Sequence, residues 1–239
     1  MCIAHNITMT HMTGILSIVA TPIGNMEDIT LRAIRVLREA DYILCEDTRV
    51  TGNLCKHHGI ETKLKRYDAH ASEKVHEDIL RDLEEGKHIA LVSDAGTPGI
   101  SDPGVFLVAR ARIANARIDA IPGASAITAL FSIAGVSGNS FAFLGFVPLK
   151  KGRQTFFKSL PEYHTPVMFY EAPHRIMKTL ESLATTSATI PVNWNIVIGR
   201  ELTKMFEEVV TGTPEEVLQY FTDHSDHVRG EFVLLIEQK

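Results

Sequence analysis

The stretch HIALVSDAGTPGISDPG, His88–Gly104, decides how the chain is read. It opens with a compact apolar run and passes directly into a loop. From Ser93 to Gly104 that loop holds three glycines, two prolines and two aspartates in twelve residues. Glycine admits φ > 0 and lets a ligand approach the backbone. Proline fixes φ and removes a donor. A buried strand ending in so many special residues is either an ordinary strand-to-helix turn or one wall of a binding site.

The same alternation repeats along the chain. ILSIVA (15–20) is a β-branched apolar run, followed by the turn TPIGN. DITLRAIRVLREA predicts an amphipathic helix with Asp28 as N-cap and Leu31, Ile34 and Leu37 on one face. YILCED is a strand. SEKVHEDILRDLEEG is a helix, with Val75, Ile79 and Leu83 in register and Gly86 as its stop. PGVFLVARARIAN is a helix, RIDAIPG a short strand and turn, and ASAITALFSIAG an apolar helix. Strands alternating with helices imply an α/β fold whose sheet is mostly parallel, with helices on both faces. The composition changes in GVSGNSFAFLGFVPLKKGRQ, which places the domain boundary after residue 136. Residues 1–14 form a loose N-terminal extension, 15–136 a first α/β domain and 137–239 a second. In that second half TPVMFYEAPHR is a strand running into a loop, and RIMKTLESLA a helix. NWNIVIGREL and MFEEVVTG are strands. TPEEVLQYF is a helix with a capping box from Thr213 to Glu216, and EFVLLIE is a closing strand.

Composition bounds the function. The 239 residues are 45% hydrophobic and 22% charged, as expected of a globular protein. No apolar run reaches the roughly 18 residues of a membrane span. The N-terminus lacks the basic and apolar regions of a signal peptide. Three cysteines without a CxxC pair argue against a zinc knuckle or a disulfide scaffold, and a cytoplasmic setting follows. The net charge of −5 gives no global nucleic-acid signature, so any such partner is held by a local patch.

In open α/β sheets ligands sit beyond the carboxyl ends of strands. Four Gly/Pro-rich loops occupy that position: TPIGN, SDAGTPG, PGASA and YEAPHR. GxxxxGK[ST] is absent, as is GxGxxG after the first strand, so no standard phosphate cradle is present. A nucleotide held through its sugar and base fits, and S-adenosylmethionine is such a ligand.

VATPIGNMEDITLRA, CEDTR, LVSDAGTPGISDPG, IPGASA, FLGF and FYEAPHR, in this order, resemble the tetrapyrrole-methylase superfamily (class III methyltransferases). Within it they resemble the branch that methylates a ribose 2′-oxygen of a cytidine in 16S rRNA. The resemblance runs from about residue 15 to 239. It implies two αβα domains with an S-adenosylmethionine cleft between them, a homodimer, and the small ribosomal subunit as partner. It implies donor contacts at Thr21, Pro22, Asp94, Gly96, Thr97, Ser125, Ala126, Tyr170, Glu171 and Ala172, and near Glu201 and Leu202. The chain departs from the family in YDAHASE, where only His70 matches a His/Asn-rich segment. It also stops at IEQK, where relatives often continue into a small helical segment.

Methyl transfer to a ribose hydroxyl is a displacement at a sulfonium methyl, helped by a positioned base. Asp94 and Asp47 are the candidates to orient or accept from the hydroxyl. Asp94 is otherwise an Asx-turn residue. Arg49 and Arg175 are expected to hold phosphates, since a guanidinium bonds them bidentately; Arg49 is otherwise ion-paired. Glu171 is either a second carboxylate or an anchor for its turn, and His174 either a base or a local hydrogen-bonding group. PLKKGRQTFFK is the main RNA-contact candidate through Lys150, Lys151, Arg153 and Lys158, with Phe156 and Phe157 as stacking or core residues. KLKR at 63–66 is a second patch. His57-His58 beside Cys55, and His224 with His227, do not make a four-ligand metal set, so no metal is expected. Two other functions fit the same features: a methylase of a porphyrinoid or corrinoid precursor, and a non-catalytic ribosome-assembly factor.

Overall fold

A computed structural model of the chain describes residues 13–100, 104–136, 138–191 and 193–239. Residues 1–12 of the N-terminal extension, and Ser101, Asp102 and Pro103 of the quoted loop, lie outside the described residues. The chain divides into two units. One runs to Pro22 and resumes over Met26–Ala124; the other holds Ile23–Asn25 and Ser125–Lys239.

The first unit follows the alternation in the sequence. β1 (Ile15–Val19), α1 (Leu31–Glu39), β2 (Tyr42–Cys45), α2 (Thr48–His57) and β3 (Leu64–Arg66) come first. α3 (Glu73–Glu84), β4 (His88–Val92), α4 (Gly104–Ile113) and β5 (Arg117–Ile121) follow. The sheet order is β3-β2-β4-β1-β5 and every pairing is parallel. Side chains of a strand alternate between faces. Ala90 and Val92 of β4 therefore join a core with Leu37 of α1 and Leu54 of α2. Ile89 and Leu91 join the opposite core with Leu83 of α3 and Leu107 of α4. Because all strands run the same way, the loops leaving β1, β2, β4 and β5 emerge at one edge.

Two local expectations change. The N-cap of α1 is Thr30, whose hydroxyl accepts from the Ala33 N–H, and Asp28 instead ends a 3₁₀ turn, Met26–Asp28. The buried face is then Ala33, Val36 and Leu37, and Leu31 points outward. α2 is not anticipated from the sequence; Asp47 starts it by accepting from the Arg49 N–H, and it buries Thr51, Leu54 and Cys55 on one face.

The second unit carries α5 (Ala126–Ile133), β6 (Ala142–Phe146), α6 (Arg153–Ser159), β7 (Val167–Glu171) and α7 (Ile176–Ser187). β8 (Trp194–Arg200), β9 (Glu208–Gly212), α8 (Pro214–Asp223) and β10 (Phe232–Gln238) complete it. Its sheet, β6-β7-β10-β8-β9, is mixed: β6 and β7 are parallel and the other pairs antiparallel. The division between units falls at Ala124–Ser125, before the point expected from the change in composition after residue 136. The physical reason is α5, which buries Ile127 and Leu130 against Met168, Val197, Val233 and Leu235 of the second sheet.

The capping box of α8 is present in both directions, with Thr213 Oγ accepting from the Glu216 N–H and Glu216 Oε2 from the Thr213 N–H. Thr213→Ala removes one of these bonds and is expected to cost about 1 kcal/mol of stability, read as a shift in the denaturant midpoint at unchanged slope.

Candidate functional site

The loops at the carboxyl edge of the first sheet are tied to one another. Thr21 and Gly96 form an isolated antiparallel bridge, N to O at 2.9 and 3.1 Å. The Thr21 hydroxyl donates to the Ser93 carbonyl at 3.1 Å, and Thr21 and Pro22 are both buried. Gly96 is buried with φ +79°, a conformation that strains any residue with a Cβ. Thr97 Oγ1 donates to the Ala124 carbonyl at 3.1 Å, joining the loop after β5 to the loop after β4. At Gly123 a Cβ would stand 2.9 Å from that of Ala20, so the turn after β5 requires glycine to lie against the end of β1.

Asp47 and Asp94 come together at this edge. The Asp47 N–H donates to Asp94 Oδ1 at 3.1 Å. The Asp47 carboxylate is fully engaged, accepting from the Arg49 N–H at 2.8 Å, Nε at 3.1 Å and Nη2 at 2.6 Å. These bonds from Arg49 hold its pKa down at about 2. A carboxylate so weakly basic is a poor acceptor for a hydroxyl proton. Asp94 keeps its second oxygen and stands exposed, which makes it the better candidate of the two.

In the second unit the end of β7 is built on Glu171. Its side chain is 0% exposed. Thr179 Oγ1 donates to Oε2 at 2.5 Å, and the Ala172 N–H to Oε1 at 2.8 Å. Arg153 Nη1 lies 3.4 Å and Arg175 Nε 3.3 Å from its oxygens. Arg153 also donates to Thr179 Oγ1 at 2.9 Å, and Arg175 Nη2 to the Val147 and Pro148 carbonyls. Arg153 and Arg175 were expected at RNA phosphates; both turn inward instead, because a buried carboxylate needs its counter-charge. Glu171 is therefore the anchor of the YEAPHR turn. Thr179 escaped sequence reading, although Glu171, Arg175 and Thr179 follow one another at intervals of four.

Tyr170 sits with Phe143 at 5.1 Å and Phe146 at 5.2 Å between ring centres. Burial, then the Glu231 charge, pushes its phenol up to about 12. Ser125 caps α5 without a side-chain bond to the helix, and Ala126 begins the first turn. Glu201 has φ +50° and Thr203 φ +68°, and a β-branched residue in that region is strained. Lys204 Nζ and the Glu231 N–H bind Glu201 Oε1 at 2.8 and 2.9 Å, and Leu202 is buried. Thr203 Oγ1 accepts from the Asn25 N–H at 3.2 Å. The strained turn thus receives the Ile23–Asn25 segment of the TPIGN loop.

The remaining candidates separate. Phe157 is in the core and Phe156 packs against it. Lys150, Lys151, Lys158 and His174 are exposed. KLKR lies largely on the edge strand β3, where Lys65 pairs with Asp82 at 3.5 Å and Arg66 with Asp68 at 2.9 Å. His227 binds Glu208 at 3.0 Å, a carboxylate shared with Tyr220 and Arg200. Burial pushes the Cys45 and Cys55 thiols up. Among the described residues no group of three or more His, Cys, Asp or Glu is placed to hold a metal ion, and no helix is long and apolar enough to cross a membrane.

The fold has solved counterparts. Uroporphyrin-III-C-methyltransferase from Thermus thermophilus superposes with a TM-score of 0.65 at 19% identity, covering 94% of each chain. A diphthine synthase superposes with a TM-score of 0.70 at 15% identity, covering 94% of this chain and 90% of its own. In sequence, the chain is 44% identical to the ribosomal RNA small subunit methyltransferase I of Halalkalibacterium halodurans, over 94% of this chain and 76% of that protein. It is 40% identical to the protein of the same name from Haemophilus influenzae, over 97% of this chain and 81% of that one. The family model for tetrapyrrole (corrin/porphyrin) methylases matches residues 16–218. With that match and this identity over nearly the whole chain, the protein belongs to the tetrapyrrole methylase family, in its ribosomal RNA small subunit methyltransferase I group.

Proposed function

We propose that the chain transfers a methyl group from S-adenosylmethionine to the ribose 2′-hydroxyl of a cytidine in the 16S rRNA of the small ribosomal subunit. The observation that carries this reading is the 40–44% identity to methyltransferases of small-subunit RNA over nearly the whole chain. A cytoplasmic homodimer accompanies it, as the family resemblance implies.

The residues suit the donor. In the first unit, the exposed Asp94 carboxylate offers acceptors for hydroxyl or ammonium groups. Gly96 and Thr97 present backbone that is already fixed by the Thr21 bridge and the Ala124 bond. When bound, S-adenosylmethionine supplies an electrophilic methyl on a sulfonium that departs as a neutral thioether. The protein's part is then to orient the hydroxyl, polarise it and exclude water. Asp94 carries the polarising role in this reading, with Asp47 and Arg49 bracing its loop.

The test offers two acceptors in parallel. Purified protein with methyl-labelled donor is given small subunits lacking the modification, or a carboxylate-rich porphyrinoid precursor. Label in the ribosomal RNA alone is the expected result. Label in the porphyrinoid alone overturns the RNA reading, and donor binding without any transfer favours an assembly factor.

A further inference from the structure

We propose that Phe146, at the end of β6, is a stacking platform for an unpaired RNA base, and that Lys150 and Lys151 bind the phosphates beside it. This rests on the RNA reading above and adds a binding residue to it. Phe146 is 53% exposed and Leu149, three residues on, is 74% exposed. Lys150 and Lys151 follow, both exposed.

The loop holding these groups is fixed from beneath. Val147 is buried, and its N–H donates to the Tyr170 carbonyl at 3.2 Å. Arg175 donates to the carbonyls of Val147 and Pro148. Arg153 closes the loop through its N–H to the Lys150 carbonyl at 3.3 Å, while its guanidinium is held by Glu171 and Thr179. Moving residues 147–150 over Phe146 breaks these bonds to Tyr170, Arg175 and Arg153. Behind the ring, Tyr170 lies 5.2 Å away at 51°, and Phe143 is packed on Tyr170 in turn. The outer face of Phe146 is left to solvent as a rigid, pre-organised aromatic surface.

Charge selects the occupant. The whole chain carries −5, yet the segment 146–153 has two adjacent exposed lysines and no acidic residue, and Glu231, whose charge acts on Tyr170, is paired with Lys204 at 2.9 Å. An apolar protein surface would have to desolvate both lysines, whereas a single-stranded nucleic acid uses both features at once. Its bases stack on an aromatic ring and its phosphates take the cations. β6 and β7 are parallel, so Phe146 and Tyr170 share the carboxyl edge where ligands of such sheets are held.

The experiment measures binding of full-length protein to small subunits lacking the modification, across a salt series. Phe146→Ala is expected to weaken binding about tenfold, with the slope of log K against log salt unchanged, because the ring carries no charge. Phe146→Trp should bind at least as well as the wild type. Lys150→Ala/Lys151→Ala should weaken binding and lower the slope by about 1–2. Ile113→Ala, an apolar side chain 82% exposed in the first unit, is the control expected to change nothing. Equal binding by the wild type and Phe146→Ala overturns the platform. So does a change in oligomeric state on light scattering without a change in subunit affinity, which would make the ring a contact between copies of the chain. If the wild type binds and Phe146→Ala weakens that binding, but no methyl is transferred, the activity reading fails and the platform stands.

Discussion

Replacing Glu171 with alanine is expected to lower the unfolding free energy by about 3–5 kcal/mol, the cost of leaving partly buried cations without a counter-charge. The carboxylate is wholly enclosed, and the two guanidiniums beside it are mostly so. Truncation also strips Thr179 of its acceptor and leaves a void at the end of β7. Glu171→Gln keeps the shape and an acceptor for Thr179 while losing the charge, so it should fall between alanine and the wild type. The chain has one tryptophan, Trp194, buried in the core of the same unit. Denaturant titration followed by its fluorescence reads this transition directly. An alanine variant within about 1 kcal/mol of the wild type would mean that solvent or neighbouring groups satisfy Arg153 and Arg175 without Glu171.

The second large effect concerns activity. Asp94→Asn is expected to lower kcat/KM for small subunits about a hundredfold, mostly in kcat, as the loss of a positioned base does. Asparagine retains an oxygen to accept the Asp47 N–H, so the loop keeps its brace while the charge is lost. Asp47→Asn should cost far less. The bonds from Arg49 lower the Asp47 carboxylate to about pKa 2, which makes it a weak acceptor for a hydroxyl proton. Single-turnover measurements at saturating donor distinguish the two. Full activity in Asp94→Asn, or a larger loss in Asp47→Asn, would reverse the assignment.

Much of this was legible in the sequence. Strands covered on both faces read as continuous apolar runs and amphipathic helices by their period, which is why β1, β2, β4, β5 and α3 follow the expected order, while the short edge strand β3 read only as a basic patch. The loops after β1, β4, β5 and β7 were visible as clusters of Gly and Pro, and the Thr213–Glu216 capping box as a spacing of three. What stayed hidden depends on partners distant in sequence. α2 combines Gly52, Asn53 and two threonines, weak helix formers, and its buried face of Thr51, Leu54 and Cys55 is short. α5 is apolar enough to pack on either sheet, and the pattern does not say which. The direction of Arg153 and Arg175 depends on Glu171 being buried, a fact of tertiary structure. Their basic character read as an RNA surface, while the exposed ring of Phe146 read as strand.

In the proposed reaction the acceptor is one ribose oxygen of a cytidine in the small subunit. The most direct test is mass spectrometry of nucleosides from 16S rRNA after incubation of unmodified small subunits with the protein and S-adenosylmethionine. The expected product is 2′-O-methylcytidine at a single position, absent from samples without enzyme. A methyl on a base, or on no nucleoside of the small subunit, would contradict it.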